Sequence, residues 1–191
     1  MVEIKNVKIY ELEESVIACR NAVRTEMPEY TKEEFNASLE RAIKLAKMPS
    51  NSGHANFLTG IRVAFDIKYP NYFTPELQRY HFIDIVTSSS KMHRLVKMNM
   101  DMCFTKYVKK QSIDLMKQLV NEYNENPCYE TFIVALNNCP LGVELFMRCN
   151  TNYMQLRNIY HQRKNHKLKE DWGAFCKMIE ELPYFEEFIN K

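Results

Sequence analysis

The chain of 191 residues is short of the residues that bend or free a backbone, with 4 glycines and 7 prolines. Glycines at Gly53, Gly60, Gly142 and Gly173 alone cannot build a P-loop or a G-x-G-x-x-G turn, so the common glycine-cradled nucleotide folds are excluded. Long apolar runs are also missing. Val143 to Met147 is broken by Glu144, and nothing approaches the ~20 apolar residues that a bilayer span needs. The first ten residues mix charges of both signs without the apolar core of a signal peptide, which predicts a cytosolic chain. Nor is there an excess of one charge: 26 Lys+Arg face 24 Asp+Glu for a net +2, which excludes an extended nucleic-acid surface. Any anion recognition has to be local.

Six cysteines (Cys19, Cys103, Cys128, Cys139, Cys149, Cys176) include no C-x-x-C pair and read as reduced thiols filling apolar space. There is no G-x-S-x-G elbow, and no cysteine has a neighbouring histidine to serve as its base. His161 and His166 are five residues apart, which does not place them on one helix face, and no acid or cysteine joins them at ligand spacing. Neither a nucleophile nor a metal centre is expected.

What is present is the composition of a folded globular chain, 46% hydrophobic and 26% charged. The size suits a single domain over 1–191, with an N-terminal strand and helices over 1–48 and a core over 50–180. Val2, Ile4, Val7 and Ile9 suggest a strand, followed by a helix from about Leu12 to Val23. Thr31 and Glu34 form a capping-box pattern ahead of Phe35, Leu39, Ala42, Ile43 and Ala46. Ser50 to Gly53 is a loop that delivers His54. Ile61, Val63, Phe65 and Ile67 alternate as a half-buried strand. Thr74-Pro75 reads as an N-cap with proline at the first helical position, which predicts a helix carrying Arg79-Tyr80-His81, with a polar loop at Thr87 to Ser90. Helices around Ile113–Tyr123 and Phe132–Leu136, a strand at Val143, Leu145 and Met147, and two C-terminal helices complete the chain. Few strands among longer helices predict an α+β fold.

Asn152, Leu156, Ile159 and Arg163 return to nearly one azimuth at 100° per residue, so an amide and a guanidinium share an apolar stripe. Such an arginine suits bidentate contact with a carboxylate, a phosphate or a nucleobase edge. The same spacing is that of an arginine stabilised by the dipole at a helix C-terminus and solvated beyond it. Arg79 and His81 with Ser88-Ser89-Ser90 could gather donors around an anion, or belong to an ordinary amphipathic helix.

In order and spacing these segments resemble the flavin-dependent thymidylate synthases. Arg79-Tyr80-His81 followed after seven residues by Ser89 is similar to that family's R-H-R-x7-S signature. Gly53-His54 and the strand from Ile61 to Pro70 resemble its Gly-His pair and proline-terminated strand. Pro140, Asn152, Leu156, Asn158, Ile159 and Arg163 resemble its later proline, strand and helix.

The resemblance implies a small antiparallel sheet packed with several helices. It places His54, Arg79, His81, Asn152 and Asn158 on FAD, Ser89, Lys91 and Arg163 on a pyrimidine deoxynucleotide, and Arg163 at the reacting ring. It also implies methylation of dUMP at C5, or a related pyrimidine modification, with methylenetetrahydrofolate and NADPH as co-substrates, no enzyme nucleophile, and a homotetramer with sites between subunits. Tyr80 stands where the signature has histidine, Asp84 where it has serine, Met154 where the helix has an arginine, and Leu136 where an arginine precedes the proline. A catalytically inactive nucleotide-binding protein on the same scaffold is the alternative.

Overall fold

A computed structural model describes residues 1–49 and 52–191. Ser50 and Asn51, half of the expected loop ahead of His54, lie outside the described residues. Four antiparallel strands form one sheet: β1 (Glu3–Tyr10), β2 (Arg62–Pro70), β3 (Asp84–Ser88) and β4 (Glu144–Asn152), in the order β1-β2-β4-β3. Eight α-helices accompany it among the described residues: α1 (Leu12–Ala18), α2 (Lys32–Ala46), α3 (Thr74–Leu77), α4 (Lys91–Arg94), α5 (Lys110–Glu125), α6 (Tyr129–Asn138), α7 (Tyr153–Arg163) and α8 (Lys169–Glu180). The fold is α+β.

Alternation decides which face of the sheet is covered. Val63, Phe65 and Ile67 of β2, and Met147 and Cys149 of β4, are buried against α7 and α8, where Leu156, Ile159, Trp172, Phe175 and Ile179 are fully buried. Phe65 meets Phe175 edge to face, with centroids 5.6 Å apart. Asp66, Lys68, Phe146 and Arg148 point the other way, onto a face that α7 and α8 leave open. At β1 the register shifts between Lys5 and Lys8, with Asn6 in the left-handed region at φ 52°. Two neighbouring strands pin this bulge. Asn6 donates its amide to Asp66 (2.6 Å) and its carbonyl accepts from Arg148 (3.0 Å).

Between β3 and β4 the chain builds a second apolar cluster from Leu95, Met100, Cys103, Met116, Leu119, Val120, Ala135 and Val143. It packs the α5–α6 pair beside the sheet.

The structure departs from the sequence reading at several boundaries. The first helix stops at Ala18, and a 3₁₀ turn over Asn21–Val23 finishes the segment. Thr31 accepts from the Glu34 N–H at 3.2 Å, but Glu34 does not reach back; its carboxylate is taken by Arg24 and Arg20. Only half of the capping box forms. The helix after Pro70 spans just Thr74–Leu77, with Thr74 inside it and no side-chain cap, so Arg79-Tyr80-His81 is not helical. Turn bonds from Tyr80 N–H to Leu77 (3.1 Å) and from Ile83 N–H to Tyr80 (3.1 Å) replace the helix. Residues expected in a polar loop belong partly to β3, whose Thr87 and Ser88 pair with Arg148 and Met147. Without alternating burial, β3 carries no period-2 signal: all five of its residues are exposed.

Phe65→Ala should lower stability by about 3–5 kcal/mol, because it opens a cavity between sheet and helices, whereas Thr31→Ala should cost about 1 kcal/mol as a lost helix cap. Urea unfolding of both variants, followed by circular dichroism, checks the ranking.

Candidate functional site

Helix α7 begins on a cap and ends in a cluster. The Asn152 side chain accepts from the Gln155 N–H at 2.9 Å, which fixes its orientation and leaves its amide hydrogens and one oxygen lone pair for another partner. Asn158 is exposed, while Leu156 and Ile159 are buried. At the far end the Arg163 side chain is 12% exposed and turned inward. Its Nε donates to the Tyr80 hydroxyl at 2.6 Å, its Nη1 stands 3.0 Å from the Glu76 carboxylate, and its guanidinium lies 4.6 Å from the Trp172 ring centroid. Tyr80 in turn donates to Gln162 at 3.0 Å. His166 lies 4.0 Å from Glu76 and edge-on to Trp172. A solvated arginine at a helix end is therefore not what forms. Arg79 and His81, on either side of buried Tyr80, are exposed.

The uncovered face of the sheet holds a groove of about 580 Å³, lined among others by Lys5, Lys68, Thr87, Ser88, Ser89, Arg94 and Arg148. Ser89 is fixed by its backbone, its N–H donating to the Phe146 carbonyl at 2.8 Å, while its hydroxyl accepts from the Phe146 N–H at 2.9 Å. The hydroxyl proton remains to be donated elsewhere. Most cations here are neutralised: Lys5 by Glu3 at 2.5 Å, Lys68 by Glu144 at 2.5 Å, and Arg148 by Asp66 at 3.2 Å. A hydrogen bond from Lys5 holds the Glu3 carboxyl below the usual range, and the Asn6 amide, then Arg148, do the same for Asp66. Arg94 stands 5.1 Å from the Phe146 ring centroid and, among the described residues, has no carboxylate within ion-pair distance. Lys91, one turn earlier on α4, does not line this groove.

His54 is exposed beside a third region, a groove of about 470 Å³ between α1, α2 and the turn over Asn56–Thr59. Gly53, with φ +73°, supplies the left-handed turn just before it.

The expected residues thus fall into separate places on one chain. Arg79, His81, Asn158 and Arg163 accompany α7 and the turn against its end, Ser89 lies on the open sheet face, and His54 lies near α1. Ser89 and Arg79 are at opposite ends of β3, a strand of roughly 16 Å at 3.3 Å per residue. Sequence reading missed Glu76 and the inward role of Tyr80. Arg94 has one signal, its i+3 spacing from Lys91, which puts the two on neighbouring parts of a helix surface; Glu76 has none.

Five of the six cysteines are held away from the thiolate form. Burial pushes Cys103 and Cys176 up to about 11 and Cys149 up to about 12, and raises Cys19 and Cys139 as well.

This four-stranded sheet, with α7 and α8 on one face, is the fold of the flavin-dependent thymidylate synthases. The chain is similar to the thymidylate synthase of Helicobacter pylori solved with FAD and dUMP, with a TM-score of 0.75 and 16% identity over 99% of this chain and 98% of that one. It is also similar to PolB of Streptomyces cacaoi, described as a UMP/dUMP methylase, bound with 5-Br dUMP. There the TM-score is 0.65 with 11% identity, over 100% of this chain and 94% of that one. No protein-family model matches the sequence, and no curated protein does.

At neutral pH a thiol reagent such as Ellman's should leave Cys103, Cys149 and Cys176 unmodified in the folded protein and label them only after unfolding. Rapid labelling of any of the three, mapped by mass spectrometry, would contradict the absence of a poised thiolate.

Proposed function

We propose that this chain binds a pyrimidine nucleotide and FAD and methylates the pyrimidine at C5, converting dUMP to dTMP or carrying out a closely related modification. The observation that carries the reading is the whole-length likeness of the fold to enzymes solved with FAD and dUMP or with 5-Br dUMP. It is supported by the placement of donors. Arg79 and His81 are exposed in one turn, and Asn158 is exposed on α7, which suits a group bearing a diphosphate. Asn152 fits less fully, because its side chain is already oriented by the helix cap.

On this reading His54, Arg79, His81 and Asn158, with the amide hydrogens of Asn152, hold the flavin. Ser89, with Lys91 close by in sequence, meets the nucleotide, and Arg163 faces the pyrimidine as the catalytic residue. The bound flavin supplies the hydride, methylenetetrahydrofolate the carbon, and NADPH the electrons that restore the flavin. The side chains' part is electrostatic: a guanidinium beside the ring stabilises negative charge that develops there. The raised cysteine pKa values are consistent with chemistry that needs no enzyme thiolate.

Because one chain carries these residues on separate surfaces, we place the complete site between copies of the chain, in a homotetramer in the cytosol. The uncovered sheet face is the surface available for this, with Tyr10, Val86 and Phe146 exposed by 48%, 58% and 53%.

A second reading, nucleotide binding without catalysis, is favoured by one observation: Glu76 already pairs with the Arg163 guanidinium.

Purified protein incubated with FAD should absorb near 450 nm, melt at a higher temperature with dUMP, and elute as a tetramer. Colour and dUMP binding together with dUMP-dependent NADPH oxidation support the enzyme. Binding of dUMP without flavin uptake supports the second reading, and binding of neither ligand rejects both.

A further inference from the structure

We propose that Tyr80 is a positioning residue for Arg163, fixing the guanidinium so that its Nη2 amino group is the donor presented to a ligand oxygen. The inference rests on the reading of Arg163 as the pyrimidine contact. On the guanidinium, Nε donates to the Tyr80 hydroxyl at 2.6 Å and Nη1 stands at ion-pair distance, 3.0 Å, from the Glu76 carboxylate, while Nη2, farther from both, donates no hydrogen bond to another described residue. One face of the plane is occupied by Trp172, at 4.6 Å. The Tyr80 hydroxyl is itself held. It donates its only proton to Gln162 at 3.0 Å, so it faces Arg163 purely as an acceptor. Its ring is 8% exposed and set edge-on to Trp172 at 6.0 Å and 81°.

The competing arrangement is chemically clear. A carboxylate prefers to take a guanidinium bidentately, through two parallel N–H bonds. If the tyrosine oxygen did not hold Nε, the guanidinium could swing onto both oxygens of Glu76 and withdraw from any ligand. Phenylalanine at position 80 would keep the ring against Trp172 and lose only that restraint. A histidine there could not supply the same reach from a buried ring, so this tyrosine and Arg163 act as a pair.

The test compares wild type, Tyr80→Phe, Arg163→Lys and the double variant by calorimetric titration with dUMP and by FAD absorbance near 450 nm. We expect Tyr80→Phe to take up FAD as wild type does, to melt within about 5 °C of it, and to bind dUMP about tenfold more weakly, the scale of one charge-assisted hydrogen bond. In the Arg163→Lys background, which lacks Nε, the same substitution should add no further loss. Gln162→Ala frees the hydroxyl to rotate without touching either ring; it should weaken dUMP binding with flavin uptake unchanged, and it stands in if Tyr80→Phe does not fold. Unchanged dUMP affinity in the variants, loss of flavin uptake, or a full penalty in the lysine background overturns the proposal while leaving the reading of the site intact. A wild-type protein that binds no dUMP overturns that reading, and this proposal with it.

Discussion

One cation ties three parts of this protein together. Arg163, at the end of α7, is stacked on Trp172 of α8, paired with Glu76 of α3 and bonded to Tyr80 in the following turn. With so little of its side chain exposed, the guanidinium has given up most of its hydration, and the surroundings must replace it. They do so with one carboxylate, one hydroxyl and two aromatic faces, so the turn over residues 78–83 cannot leave α7 without exposing an unpaired charge. The turn leads directly into β3, and Thr151, near the end of β4 just ahead of α7, anchors it again by donating to the Phe82 carbonyl at 2.8 Å. The course of the edge strand, and therefore of Ser89, follows from that anchoring.

The sheet divides the molecule by chemistry. Its covered face is closed by aromatic contacts between β2 and α8, and its open face carries charges that largely cancel in pairs. Such pairing on an exposed face adds little to stability but leaves the local field modest. Arg94, without a carboxylate partner among the described residues, and three consecutive hydroxyl residues, Thr87, Ser88 and Ser89, then stand out against a nearly neutral background. With a net charge of only +2, the chain carries no large single-sign field, and that local contrast is where its surface potential is most distinct.

At position 80 the chain sets a core residue between two exposed basic side chains. Arg79 and His81 remain outside, where charged groups can meet a ligand, while the residue between them has turned into the core and serves another side chain. Tyrosine suits this use because it combines a large apolar ring with a polar tip. The neighbouring Glu76 then sets a competition for the guanidinium that a neutral residue would not.

The sequence by itself determined the strands whose faces differ and the helices with one apolar stripe. Val63, Phe65 and Ile67 had to face inward, and the spacing of Leu156, Ile159 and Arg163 marked α7, because burial patterns repeat within a few residues; that Asn152 caps this helix from the end of β4, rather than sharing its stripe, came from the structure. Only the tertiary structure decided that β3 is a strand, as its pairing comes wholly from β4 and its residues show no burial pattern. Only it decided that Tyr80 turns inward, that Glu76 meets Arg163 across 87 residues, and that Arg94 rather than Lys91 reaches the groove. These are long-range contacts between groups of opposite charge or complementary shape, and local propensity carries no record of them.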